Sequence, residues 1–178
     1  MVHSAEVWWR PVWQLTAVDT ATRYAIGKLV AGDKSARDPA AFVDHVAERL
    51  AGIGAELTGV LTDNGPEFAG HQFTTAMAER GVRHHRIPPR SPNHNAVCER
   101  FQGTALQEFY RPAFHRQYFA RLADLGAQFQ GWLQHYNTRR RNHGDFMRGR
   151  NALCGHGGAP TMTKPRVHLS PQPVLRKY

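Results

Sequence analysis

Two acidic residues stand where chemistry on a phosphate can be built. Asp63 closes the apolar run Leu57 to Thr62 and opens the turn Asp63-Asn64-Gly65-Pro66, inside TDNGPEF at residues 62–68. Glu99 sits in SPNHNAVCER, residues 91–100, with thirty-five residues between the two acids. A magnesium ion takes octahedral oxygen ligands and keeps several waters, so one or two carboxylates per ion suffice. Two such ions roughly 3.5–4 Å apart activate the attacking oxygen of a phosphodiester displacement and steady the leaving one. A strand-end Asp opposite a helical Glu supplies part of that cluster, and open α/β sheets gather ligands at strand ends. Each acid alone has a plainer reading. An Asp-Asn-Gly turn lets the aspartate cap its own backbone, and a glutamate near a helix N-terminus is favourable without any ligand. Their joint setting carries the chemical reading.

The elements that must position them follow from periodicity and punctuation. Residues 12–18 (VWQLTAV) and 24–30 (YAIGKLV) are apolar and β-branched, and the polar link between them predicts a hairpin. Asp38-Pro39 is an N-cap followed by a first-turn proline. Phe42, Val46, Leu50 and Ile53 then predict a helix over 39–52, ended by Gly52 and Gly54. Leu57 to Thr62 reads as a third strand, about 70–80 as a short helix and 82–87 as a short strand. Pro88 to Pro92 is a rigid loop, and a helix follows from about 94 to 110. Leu122, Leu125, Phe129, Trp132, Leu133 and Tyr136 mark a last helix. The 28 residues from 151 to 178 hold four prolines, three glycines and no acid, and predict a disordered tail. The order predicts a mixed α/β fold.

Composition bounds the partners. The chain has 178 residues, with 23 Lys and Arg against 14 Asp and Glu, a net charge of +9. That surplus favours a polyanion such as nucleic acid. No apolar run approaches the ~20 residues that span a bilayer, no signal-peptide pattern opens the chain, and Cys98 and Cys154 make no disulfide framework. The expected setting is a reducing cytoplasm, at the nucleoid when on DNA. The eleven histidines, His84, His85, His135 and His143 among them, lack zinc-finger spacing. Cys98 reads as a small packing residue.

TDNGPEF, the thirty-five-residue gap and SPNHNAVCER together resemble the catalytic core of insertion-sequence transposases and retroviral integrases. The resemblance runs on through FQGTALQEF and HYNTRRRNHGDFMRGR, over about residues 12–150, with Ala96 where the family usually has Gly. It implies a ribonuclease-H-like mixed sheet flanked by helices. It also implies Mg²⁺- or Mn²⁺-dependent attack on DNA phosphodiesters, with Asp63 and Glu99 as catalytic metal ligands. The expected partners are transposon ends, target DNA and further copies of the chain.

Such a core needs three acids, the first on a central first strand. QLTAVDTATRYAIG resembles the family's second strand, where an Asp is common but does not bind metal, so Asp19 is the third-acid candidate only against that resemblance; Glu6 would stand in, ranked after it, if residues 5–9 formed a short strand. The atypical segment 1–11 supplies no obvious first strand. The expectation is a core without that strand, its edges open. The tail beyond Arg150 reads like a change of frame. An inactive or partial copy is the favoured reading of the chain, and a basic nucleic-acid-binding module unrelated to integration is the alternative. Arg86, Arg90, Arg100, Arg139, Arg140 and Arg141, with Asn93 and Asn95, are the candidate DNA contacts, gripping phosphates without reading sequence.

Overall fold

The computed structural model describes residues 11–32, 38–87, 92–142, 147–155 and 166–174. Their elements run β1 (Val12–Asp19), β2 (Ala25–Ala31), α1 (Pro39–Ala51), β3 (Gly59–Thr62), α2 (Pro66–Ala69), α3 (His71–Glu79), β4 (Arg83–Arg86) and α4 (Pro92–Ala105). A π-turn over Leu106–Tyr110 links α4 to α5 (Arg111–Arg116); α6 (Leu122–Thr138), β5 (Arg141–Asn142), β6 (Arg150–Asn151) and β7 (Arg166–Pro173) follow. Pro112 has no amide to close a regular helical ladder, and the widened turn stands just before it.

Five strands form one mixed sheet in the order β2-β1-β7-β3-β4. β1 runs antiparallel to β2 and to β7, while β7 runs parallel to β3 and β3 parallel to β4. This corrects two expectations. The tail is not disordered throughout, because residues 166–173 form a strand. The sheet is not open in the middle, because that strand fills it. Residues 167–170 alternate apolar and polar, Val-His-Leu-Ser, as a strand does. Prolines 171 and 173 hid that pattern, since proline cannot donate to a ladder. They are tolerated for a geometric reason. β3 pairs only as far as Leu169, and Val174 donates its N–H to Val12 O at 2.8 Å. Alternation then turns the nitrogens of Pro171 and Pro173 away from β1, to the side where β3 has ended.

Each sheet face carries its own core. Leu15, Ala17, Val60, Val167 and Leu169 pack against Phe42, Val43, Val46 and Leu50 of α1 and Phe73 and Met77 of α3. Asp38 caps α1, its Oδ1 accepting from the N–H groups of Ala40 at 2.9 Å and Ala41 at 3.0 Å. On the opposite face Val18 and Ala25 pack against Cys98, Phe101 and Ala105 of α4 and Leu125, Phe129, Leu133 and Tyr136 of α6. α6 comes so near β2 that a β-carbon on Gly27 would stand 2.7 Å from the Phe129 ring. No described helix is long and apolar enough to cross a membrane.

The outer edge of β2 is closed by side chains. Buried Asn137 accepts from Ala25 N–H at 2.9 Å and donates to Ala25 O at 2.8 Å. Gln130 Nε2 donates to Gly27 O at 2.7 Å. An edge that would otherwise invite another strand is thereby occupied. Replacing Asn137 by Leu leaves both Ala25 groups unpaired, and each buried unpaired group costs about 1–3 kcal/mol. Urea denaturation of Asn137→Leu should show a loss of about 2–4 kcal/mol; a loss below about 0.5 kcal/mol, the range of an ordinary surface change, would refute the edge-closing role.

Candidate functional site

Pleat parity decides which acids can meet. Val60 points into the α1–α3 core, so Leu61 and, past the strand end, Asp63 point to the α4 face. On β7, Val167 and Leu169 share the face of Val60, which leaves His168 and Ser170 on the face of Asp63. α4 lies across that face. Cys98 Sγ donates to His168 O at 3.4 Å, and Gln102 Nε2 donates to Ser170 Oγ at 3.2 Å. Glu99 follows Cys98 and is exposed on the helix flank. Burial pushes the Cys98 thiol far above its ordinary range, and the negative charges of Asp63 and Glu99 push the same way. Asp63 at the end of β3 and Glu99 on α4 thus lie on the same face of the sheet, on either side of Cys98 in sequence, and both charges act on its buried sulfur. The raised pKa also keeps that sulfur a thiol, the inert form.

Asp63 is half-buried, and its Oδ1 accepts from Gly65 N–H at 2.9 Å. The plain turn reading of this aspartate is thus realised for one oxygen. Asn64 Nδ2 donates to Ile87 O at 3.1 Å and ties the turn to the end of β4. Thr62 Oγ1 and His84 Nε2 are 2.8 Å apart. Partial burial, followed by the charges of Arg86 and His85, holds His84 below its ordinary pKa. Glu67 was not among the sequence candidates, yet its carboxylate lies beside that of Asp63. A β-carbon on Gly65 would stand 2.9 Å from Asp63 Oδ1 and 3.0 Å from Glu67 Oε2.

Asp19, the third-acid candidate, does not join them. It pairs with Val167 and so shares that residue's face, opposite Asp63. It is 1% exposed, and its Oδ2 accepts from Thr22 N–H at 3.0 Å and from the Thr22 hydroxyl. Its carboxylate holds the β1–β2 turn, where Arg23 takes a positive φ of 65°. Glu6 and Arg90 lie outside the described residues. Asn93 and Asn95 lie in α4 by backbone, with side chains outside the description.

His168 carried no signal in the sequence beyond the alternation of its strand. It is 0% exposed, and neither Nδ1 nor Nε2 has a hydrogen-bond partner. Asp63 acts on it electrostatically, and burial holds its pKa down to about 4. Among the described residues no three His, Cys, Asp or Glu side chains converge to hold a metal ion. The donor set here does not fit a three-carboxylate divalent-ion site.

The basic candidates divide. Arg86 is exposed on β4, and Arg139 and Arg141 are exposed past α6. Arg100 and Arg140 line a groove of about 220 Å³ with Arg23, Tyr136, Phe101 and Asn142, and no acid lines it. Arg140 reaches from Glu108, at 3.1 Å, over the ring of Tyr136. Arg23 was missed in the sequence, because nothing local announces that a turn residue will face a helix seventy-odd positions later.

A family model described as "Integrase core domain" matches residues 1–92, and a second with the same description matches 80–144. An insertion element IS476 uncharacterized 39.2 kDa protein of Xanthomonas euvesicatoria is 31% identical over 123 residues, covering 69% of this chain and 33% of that protein. An insertion element IS407 uncharacterized 31.7 kDa protein of Burkholderia multivorans is 30% identical over 126 residues, covering 71% of this chain and 43% of that protein. The chain therefore spans well under half the length of these relatives. Among solved structures, the simian T-cell lymphotropic virus intasome in complex with PP2A regulatory subunit B56 gamma superposes with a TM-score of 0.65 at 18% identity, covering 86% of this chain and 51% of that one. The catalytic core domain of BIV integrase gives 0.57 at 18%, covering 79% and 81%. At such identity the likeness speaks for the fold, which is the expected ribonuclease-H-like one.

The depressed pKa of His168 makes stability depend on pH. The unfolded imidazole takes a proton near pH 6.5, while the folded one stays neutral to about pH 4. Stability is whole above 6.5 and falls as pH drops toward 4, because the unfolded state then binds more protons. The loss from this residue is about 3 kcal/mol over the window. Half-buried His45 and His84 shift the same way and add to it. Urea midpoints from pH 7.5 to 4 should decline less steeply in His168→Leu than in the wild type; equal slopes would mean that His168 titrates freely.

Proposed function

Because this chain belongs to the integrase core domain family, we propose that it acts in DNA integration or transposition as a core that grips DNA phosphates without completing the metal-dependent cut itself. Cores of this family work with divalent metal ions. In a complete site Mg²⁺ or Mn²⁺ would supply charge neutralisation at the scissile phosphate and an activated attacking oxygen. Asp63 and Glu99 are the residues that would hold it, and no third donor joins them among the described residues. No cleavage or strand-transfer step is assigned to this chain on that account.

The observation that carries the proposal is the groove between α4, the end of α6 and the β1–β2 turn. Arg23, Arg100 and Arg140 come from three separate elements and line it with no acidic residue among the lining, Arg140 being also paired with Glu108 outside it. Guanidinium forks match phosphate oxygens and stay charged at any working pH. Arg86, Arg139 and Arg141 are further exposed arginines. Contacts of this kind fix a duplex in place and do not read its sequence. Transposon ends and target DNA are the proposed ligands. Assembly of several copies on paired ends is the proposed active state, with the nucleoid as its place of work.

Fluorescence anisotropy with a labelled duplex, repeated over a salt series, tests this. The logarithm of affinity should fall linearly with the logarithm of salt, by about 0.9 for each phosphate neutralised. A triple Arg23→Ala, Arg100→Ala, Arg140→Ala variant should flatten that slope by about 2–3. An unchanged slope in the folded triple variant would dismiss the groove. Nicking of the duplex by the wild type in Mn²⁺, lost in Asp63→Asn, would show that the site is complete after all.

A further inference from the structure

β1 and β3 are not hydrogen-bonded to each other; each completes its pairing on β7. The strand at the centre of the sheet is thus the last described element of the chain. β7 is held on both sides, by residues 167–173 against β1 and 166–169 against β3. Val167, His168, Leu169 and Ser170 are all buried. Glu67, whose carboxylate lies beside that of Asp63, stands on α2 past the turn; from the sheet itself, a carboxylate for Asp63 and Glu99 would come from the strand beside β3, on the same face. The two positions of that strand nearest Asp63 with the right parity are His168 and Ser170, and neither is acidic. Ser170 is occupied by Gln102. His168 is fully buried on that face, paired with Leu61 two residues before Asp63, and neither of its ring nitrogens has a hydrogen-bond partner. Buried polar atoms are almost always paired, so this ring is a local conflict on that face of the strand.

We propose that the C-terminal strand is an in-chain filler of the sheet's central slot, and that His168 stands where a third metal-binding acid from the sheet would stand, so that the fold closes while the ion site does not. The filler stabilises the core through backbone pairing and through Val167 and Leu169. It also brings no carboxylate to Asp63 and Glu99 from the sheet. This rests on the reading of the chain as an integrase-type core with an incomplete ion site. It is separable from the DNA-binding claim, which depends on the arginine groove and is read by salt dependence alone.

Two measurements on the full chain test it. The first is native hydrogen exchange resolved to peptides. Amides of residues 167–170 and 172 should be protected as strongly as those of β1, at least about a hundredfold beyond an unstructured segment. Free exchange there overturns the proposal outright. The second is Mn²⁺ titration calorimetry of the wild type and His168→Asp, with the fold checked by circular dichroism. The variant should bind Mn²⁺ at least about tenfold more tightly than the wild type, since a hard oxygen donor is added. The double variant Asp63→Asn/His168→Asp should lose that gain. Wild-type binding as tight as the variant's, or a folded variant with no gain, overturns the assignment of position 168. If the buried carboxylate unfolds the chain, His168→Asn carries the test with a neutral oxygen donor. A gain there supports the assignment, and no gain refutes it.

Discussion

β1 ends its ladder on β7, and so does β3. The parity of three strands is therefore locked together by one set of backbone hydrogen bonds. A slip of one residue in β7 would send Val167 and Leu169 under α4 and turn His168 and Ser170 into the α1–α3 core. Everything said about which groups meet descends from that register. It places Asp19 and Asp63 on opposite faces, although both close apolar strands. It puts Cys98 over His168 and Gln102 over Ser170, which sets α4 on the sheet and so places Glu99 on the helix flank.

The α4 face is unusually polar for a sheet interior. Tyr110 donates its hydroxyl to Gln14 Oε1 at 2.6 Å, and Gln14 Nε2 donates to Thr16 Oγ1 at 2.7 Å. Gln102 and Gln172 both point to Ser170 Oγ. Gln14, Thr16, Tyr110 and Ser170 are buried and paired, so they cost little and they penalise any other register, which would strand them. His168 lies in the same row with both nitrogens unmatched. One orphan in an otherwise satisfied row is a local conflict, and local conflicts in natural sequences gather at sites of function or of lost function.

Much of this was legible beforehand. The hairpin, α1 with its Asp-Pro start, the short strands before Asp63 and before the proline loop, and α6 all follow from period and capping, and each appears within a residue or two of its expected bounds. That Asp63 would follow a strand and Glu99 would lie in a helix was legible from the local strings around them. Three things were not legible, for physical reasons. The central strand hides in a segment whose prolines argue against a strand, and only the early end of β3 makes them harmless. The parity that separates Asp19 from Asp63 is a property of pairing between strands distant in sequence. The arginine groove joins Arg23, Arg100 and Arg140 across more than a hundred residues, and no local pattern encodes that meeting.

A central strand that comes after every other described element has a consequence for biosynthesis. As the polypeptide leaves the ribosome, the hairpin, the helices and the parallel pair can all emerge before the strip that joins them. During that interval the inner edges of β1 and β3 both face solvent, with unpaired amides and carbonyls, and such edges are templates for association. Pairing β1 with β7 also closes a loop of some one hundred and fifty residues, the kind of long-range contact that slows folding. The yield of folded protein is thus set by a race between late closure of the chain on itself and adhesion of half-made sheets from neighbouring chains.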